Sequence, residues 1–104
     1  MHPPPTTLDS AKVLEYAIVD SCIKYTGALH LYHGETRVGP SAALAICQDP
    51  GVDGLLLFHC SEDWRVLGAQ IWNEPPELTV RTVQEVKLKA ERYYSGIGTL
   101  WVRR

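Results

Sequence analysis

Between Gly54 and Ile71, two runs rich in Leu, Phe, Val and Ile flank a short polar knot, Ser61-Glu62-Asp63. That order predicts a strand, a tight turn and a returning strand. Both runs are apolar on both faces, so both sides of this hairpin need cover. The rest of the chain has to supply it.

Upstream, Ser41 to Gln48 is a further strand candidate, made so by its neighbours because alanine is a poor strand former. Asp49-Pro50-Gly51-Val52 is a turn in which Pro presets one central dihedral and Gly tolerates the next. A tight hairpin there sets Ile46 opposite Leu56 and Leu44 opposite Phe58. Carried across the polar knot, the register sets Cys60 against Trp64 and Leu57 against Leu67. Since side chains alternate faces, one face would carry Leu44, Ile46, Leu56, Phe58, Trp64 and Val66. The other would carry the smaller set Ala43, Ala45, Cys47, Leu55, Leu57, Leu67 and Ala69, which a helix can approach closely. Cys47 and Cys60 would lie on opposite faces, too far apart for a disulfide.

Ala11 to Tyr25 supports two readings. Val13, Leu14, Ala17, Ile18 and Cys22 fall at helical spacing, yet Val13, Tyr16, Ile18, Val19 and Ile23 are strand formers. We prefer strand, interrupted near Asp20-Ser21. Thr26-Gly27 then turns into Ala28 to His33. Gly34-Glu35 has the form of a two-residue hairpin loop, Thr36 to Val38 returns, and Gly39-Pro40 breaks the strand.

The strong helix signal comes late. Thr82-Val83-Gln84-Glu85 matches a capping box, and Val83, Val86, Ala90 and Tyr93 form one apolar stripe. The helix is expected over about Thr79 to Tyr94, with Glu85–Lys89 and Lys87–Glu91 pairs on its surface. Gly96 is a left-handed stop, Ile97 folds back on the last turn, and Thr99 to Val102 makes a final short strand. The ending Ala90 to Ile97 followed by a Trp-bearing strand resembles small bacterial domains, a likeness that carries no activity with it.

The 104 residues fit one domain, and 45% hydrophobic with 21% charged residues is ordinary for a globular chain. Residues 1–10, with Pro3-Pro4-Pro5, are expected to form a flexible extended arm, and 11–104 a single α+β domain. A net charge of −2 with no basic face disfavours nucleic acid and polybasic membrane contact. No apolar run reaches the length of a membrane helix. Three cysteines, Cys22, Cys47 and Cys60, cannot all pair, and no secretory signal is visible, which points to a reducing cytoplasm.

Several residues invite chemistry. His30 and His33 on a strand would face opposite ways and lack further ligands, so no metal is expected. His59-Cys60 resembles a base beside a thiol, but adjacent strand residues diverge. Glu62, Asp63, Glu74 and Glu77 are acidic loop residues of the kind that solubilise turns. Phosphate loops, Gly-x-Ser-x-Gly elbows and cofactor fingerprints are absent from the sequence, so no cofactor is expected. Trp64 beside a turn and Trp72 at a strand end are the rings best placed for contact.

The fold expected is α+β, a mainly antiparallel sheet of five or six strands with one C-terminal helix packed on one face. The leading functional expectation is a non-catalytic interaction module that self-associates, as a dimer, through an apolar sheet face. An alternative is a small-molecule binder or enzyme with a pocket near Trp64, Trp72, His59 and Cys60. A third is a partner-neutralising, antidote-like protein, resting on size and charge alone.

Overall fold

The computed structural model describes residues 1–19, 23–25, 32–33, 36–37, 41–73 and 75–104. Its strands are β1 (Thr7–Leu8), β2 (Ala11–Ile18), β3 (Lys24–Tyr25), β4 (Tyr32–His33), β5 (Thr36–Arg37), β6 (Ala43–Gln48), β7 (Leu56–Cys60), β8 (Val66–Ile71), β9 (Tyr94–Ser95) and β10 (Val102–Arg103). Among the described residues one helix, α1 (Val83–Glu91), stands between two short 3-10 turns, Pro76–Leu78 and Ile97–Thr99. The main sheet is antiparallel, ordered β1-β2-β6-β7-β8, with β10 also pairing β2. The α+β architecture therefore stands, and residues 11–18 and 24–25 are strand, as preferred. The interruption proposed at Asp20-Ser21 lies outside the described residues, as do Cys22, Thr26-Gly27, Ala28 to Leu31, Gly34-Glu35, Val38 and Gly39-Pro40. Pairing of Tyr32 with Arg37 and His33 with Thr36 fits the expected hairpin.

Register is where the expectation fails. Ile46 pairs with Leu57 and Leu44 with His59, one residue away from the predicted partners. The Asp49 turn forms as expected, with Val52 N–H donating to Asp49 O at 3.0 Å and Gly51 N–H to Asp49 Oδ1 at 2.8 Å. Beyond it, however, the chain does not enter the ladder at once. Gly54 takes φ +90°, where an added Cβ would sit 2.8 Å from Thr79 Cγ2 and 2.9 Å from Val80 O. Leu55 N–H donates to Val80 O, so the strand starts one step later. A one-residue slip moves every β7 side chain to the other face.

The second turn is also longer than the polar knot. Ser61 N–H donates to Arg65 O, Trp64 N–H donates to Ser61 O, and Trp64 itself adopts φ 61°. A bulge then sets Cys60 against Val66 in place of Trp64, and Leu57 against Gln70 in place of Leu67.

Two cores result. On one face Ala43, Ala45, Cys47, Leu56, Phe58 and Cys60 pack with Val13, Leu8 and Trp64. On the other Leu44, Ile46, Leu57 and Ala17 pack under Val80, Val86, Ala90, Tyr94 and Ile97. The helix therefore covers the face bearing Leu44 and Ile46, and Cys47 and Cys60 share the opposite face, both corrections of the predicted arrangement. The two thiols are free, their strand positions separated by four residues along β7. A bulge between Val13 and Glu15 lets β2 contribute Val13 and Tyr16 to one face and Ala17 to the other.

The helix is shorter than its sequence window. Thr82 caps it as predicted, accepting from Glu85 N–H at 3.3 Å. Residues 79 and 80 instead brace the sheet, Val80 N–H donating to Trp72 O. At the other end Tyr94 leaves the helix to pair with Tyr25, and Gly96 takes the expected left-handed turn at φ 96°. The anticipated surface ion pairs are replaced: Lys87 meets Glu15 at 2.6 Å, and Glu91 accepts from Gly96 and Gly98 N–H. The final strand is Val102–Arg103, since Ile97–Thr99 coils.

The Pro-rich stretch 1–10 does not project as an arm. Thr7–Leu8 joins the sheet, Pro4 is fully buried, and Trp64 and Arg104 each bond a carbonyl of residues 2–4. Among the described residues no helix is long and apolar enough to cross a membrane.

Candidate functional site

The four residues singled out by sequence divide between the two cores. His59 and Cys60 diverge from neighbouring β7 positions, as strand geometry requires. His59 lies on the helix face, where Trp72 packs against the same core; Cys60 and Trp64 lie on the other. A single pocket built from all four is therefore ruled out, because the sheet itself stands between the pairs.

His59 anchors a buried polar chain. Its Nε2 meets Gln70 Oε1 at 2.9 Å, and its Nδ1 lies 3.5 Å from the Tyr94 hydroxyl. Tyr94 in turn meets Ser41 Oγ at 2.8 Å and accepts from Ser41 N–H at 3.3 Å. With Gln70 presenting its amide oxygen, Nε2 is the donor and Nδ1 an acceptor. Burial pushes the imidazole down to about 4, against the opposing pull of the Gln70 bond. A neutral, sealed imidazole of this kind holds strands together and offers no proton to solvent near pH 7. Ser41, Gln70 and Tyr94 escaped the sequence reading. Tyr93 carried the helical periodicity, whereas the structure buries Tyr94 and leaves Tyr93 half-buried. No local signal distinguishes the two adjacent tyrosines.

The cysteines are equally inert. Desolvation raises Cys47 to about 12, with Cys60 adding to the effect, and raises Cys60 to about 12, with Asp9 adding. A thiol in that state is a small apolar filler rather than a nucleophile. No group of three or more His, Cys, Asp or Glu side chains among the described residues could hold a metal ion. His30 and Glu74 fall outside those residues. Glu62 and Glu77 are exposed, and Asp63 accepts a short hydrogen bond from Ser61 Oγ that holds its carboxyl below the usual range.

The most open of the candidate positions is Trp72. It lines a cleft of about 410 Å³ with Ile71, Asn73, Leu78 and Lys89, and the Lys89 ammonium sits 5.5 Å from the ring centroid. Ile71 at 37%, Leu78 at 66% and Leu88 at 63% exposure are large apolar side chains left to solvent here. Lys89 also borders the neighbouring depression lined by Glu85, Leu88 and Arg92. Trp72 is placed by the end of β8 and by its carbonyl accepting from Val80 N–H, so the cleft has a rigid floor. Leu78 comes from the 3-10 turn, which two prolines set in motion.

No family model, curated protein or solved structure matches this chain.

Proposed function

We propose that this chain is a small, non-catalytic protein-docking module that self-associates through the Trp72 cleft. The observation that carries the reading is the exposure of Ile71 and Leu78 around a half-buried tryptophan on a braced strand end, with Leu88 exposed in the adjoining depression across Lys89. Large apolar side chains clustered at a surface mark contact sites, and tryptophan is the commonest anchor of such contacts. Over β6 and β7 the sheet faces, favoured from sequence as the self-association surface, are covered within one chain by α1 on one side and by Trp64 with its neighbours on the other, while β8 leaves Ala69 and Ile71 exposed. The interaction therefore moves from the sheet to its rim. A catalytic role draws no support from His59, Cys47 or Cys60, which burial holds neutral.

A second copy of the same chain is the occupant that the rim favours. Glu85 lines the adjoining depression with Leu88, Lys89 and Arg92, so both signs of charge border the apolar cluster. A two-fold contact matches such a rim with itself, whereas a partner of one strong charge does not. Sedimentation equilibrium checks this. A reversible monomer–dimer equilibrium is expected, lost in Leu78→Glu with an unchanged circular dichroism spectrum. A strict monomer up to about 1 mM, where even a contact of roughly −4 kcal/mol would register, sinks the proposal.

A further inference from the structure

Residues 2–5 read His-Pro-Pro-Pro. Each of residues 2, 3 and 4 precedes a proline, which confines the stretch to extended, polyproline II backbone. Such a segment makes no hydrogen bonds within itself, so its carbonyls are left for outside donors. Here two of them are taken by side chains of the domain. Trp64 Nε1–H donates to His2 O at 2.8 Å, and Arg104 Nε–H donates to Pro4 O at 2.8 Å. Between these two clamps Pro4 is fully buried while Pro3 and Pro5 stay exposed. The backbone ladder begins only afterwards, where Val13 N–H donates to Thr6 O.

The receiving surface is preformed. Trp64 meets Tyr16 edge-on, with ring centroids 5.7 Å apart and planes at 90°. Its backbone holds φ 61°, a left-handed conformation that a bulky residue rarely adopts. Backbone strain of that sort tends to persist where a side chain must be aimed at a ligand. Arg104 is fixed from its own side, since its N–H donates to Leu14 O beside β10. A strap held on by greasy contact alone has no use for side-chain donors aimed at successive carbonyls. An aromatic surface that reads proline-rich chains does, combining a slot for one ring with an indole N–H for a neighbouring carbonyl.

We propose that the surface formed by Trp64, Tyr16 and Arg104 is a proline-recognition site, occupied in cis by residues 2–5 and open to a proline-rich segment of another polypeptide once that arm is displaced. The site lies on the sheet face away from Trp72, so it stands or falls independently of the self-association reading.

The test uses the full chain carrying Pro3→Ser, Pro4→Ser and Pro5→Ser, which frees the arm and leaves β1 intact. The probe is the synthetic hexapeptide Met-His-Pro-Pro-Pro-Thr, followed by the Trp64 indole N–H resonance. Saturable binding is expected, at least about tenfold tighter than to the unsubstituted chain, whose tethered arm competes at an effective concentration in the millimolar range. Adding Trp64→Phe, which keeps a ring but removes both the donor and the indole reporter, is expected to weaken binding about fivefold, the usual weight of one hydrogen bond, as followed through the ring resonances of Tyr16. No saturable shift of the indole resonance overturns the proposal. So does equal binding of a peptide with serine at all three proline positions. Should the triple variant fail to fold, Pro4→Ser alone loosens the arm while leaving Trp64, Tyr16 and Arg104 in place. It must then bind the peptide more tightly than the unsubstituted chain does; equal affinity overturns the proposal as well.

Discussion

The two faces of the central sheet are closed by different means. On the helix face, Val83, Val86, Ala90, Tyr94 and Ile97 share the cover over Leu44, Ile46 and Leu57. On the opposite face β6 presents only Ala43, Ala45 and Cys47, and the space above is filled chiefly by Trp64, with Phe58, Tyr16 and Leu8 around it. One side spreads its burial over many side chains of moderate size. The other concentrates it in one ring, which also binds the N-terminal stretch through the His2 carbonyl. A face on which one ring supplies much of the cover depends heavily on that residue, and the N-terminal stretch lies against it.

Deleting the roof is the sharpest way to break this contrast. Trp64→Ala is expected to cost about 3–5 kcal/mol, against about 2 for Val86→Ala on the helix face. Urea denaturation measures both. Equal losses would show that Trp64 is not the principal cover of its face.

Acid between about pH 6.5 and 4 probes the helix face, whose polar chain is centred on His59. In the unfolded chain the imidazole takes up a proton near 6.5, but in the fold only near 4. Between those values the unfolded chain holds the extra proton, so stability is complete above about 6.5 and falls as pH drops toward 4. The total loss is roughly 3 kcal/mol. Denaturation midpoints across that window check it, and His59→Gln should flatten the slope. An unchanged slope in that variant assigns the acid sensitivity elsewhere.

The smallest effect sharpens the arm face. The loop between β1 and β2 is Asp9-Ser10, both at positive φ (47° and 68°) without a glycine. Two left-handed residues in a two-residue hairpin loop is the pattern that Asn-Gly satisfies best. Ser10→Gly is expected to gain up to about 1 kcal/mol, the relief of a crowded Cβ less the added freedom of the unfolded chain. Thermal denaturation reads the gain, and a loss would mean that the Ser10 side chain contributes something its turn geometry does not reveal.

How legible these features were depends on the distance over which each is decided. Strands at 43–48, 56–60 and 66–71, the Asp49 turn, the Thr82 cap and the Gly96 stop all follow from residues within a few positions of one another. Among candidate site residues, Trp72 was recognised as a strand-end ring and does line a cleft. His59 was recognised as unusual, but its partners Gln70, Tyr94 and Ser41 come from three separate parts of the chain and carry no shared pattern. The prolines at 3–5 mark the stretch as extended in the sequence, while its clamps at Trp64 and Arg104 lie far away along the chain.

By itself, then, the sequence determined the central strands β6, β7 and β8, the Thr82 cap of the helix, and that Cys47, Cys60 and His59 stand on a greasy sheet. Periodicity, caps and turn dihedrals are local, and they act the same way in any surrounding. Only the tertiary structure decided which face each side chain occupies. Gly54 sits against Thr79 and Val80, and that contact delays β7 by one residue. Because strand side chains alternate, a single step is enough to exchange the two cores, to place Cys60 with Trp64 and to send His59 beneath the helix.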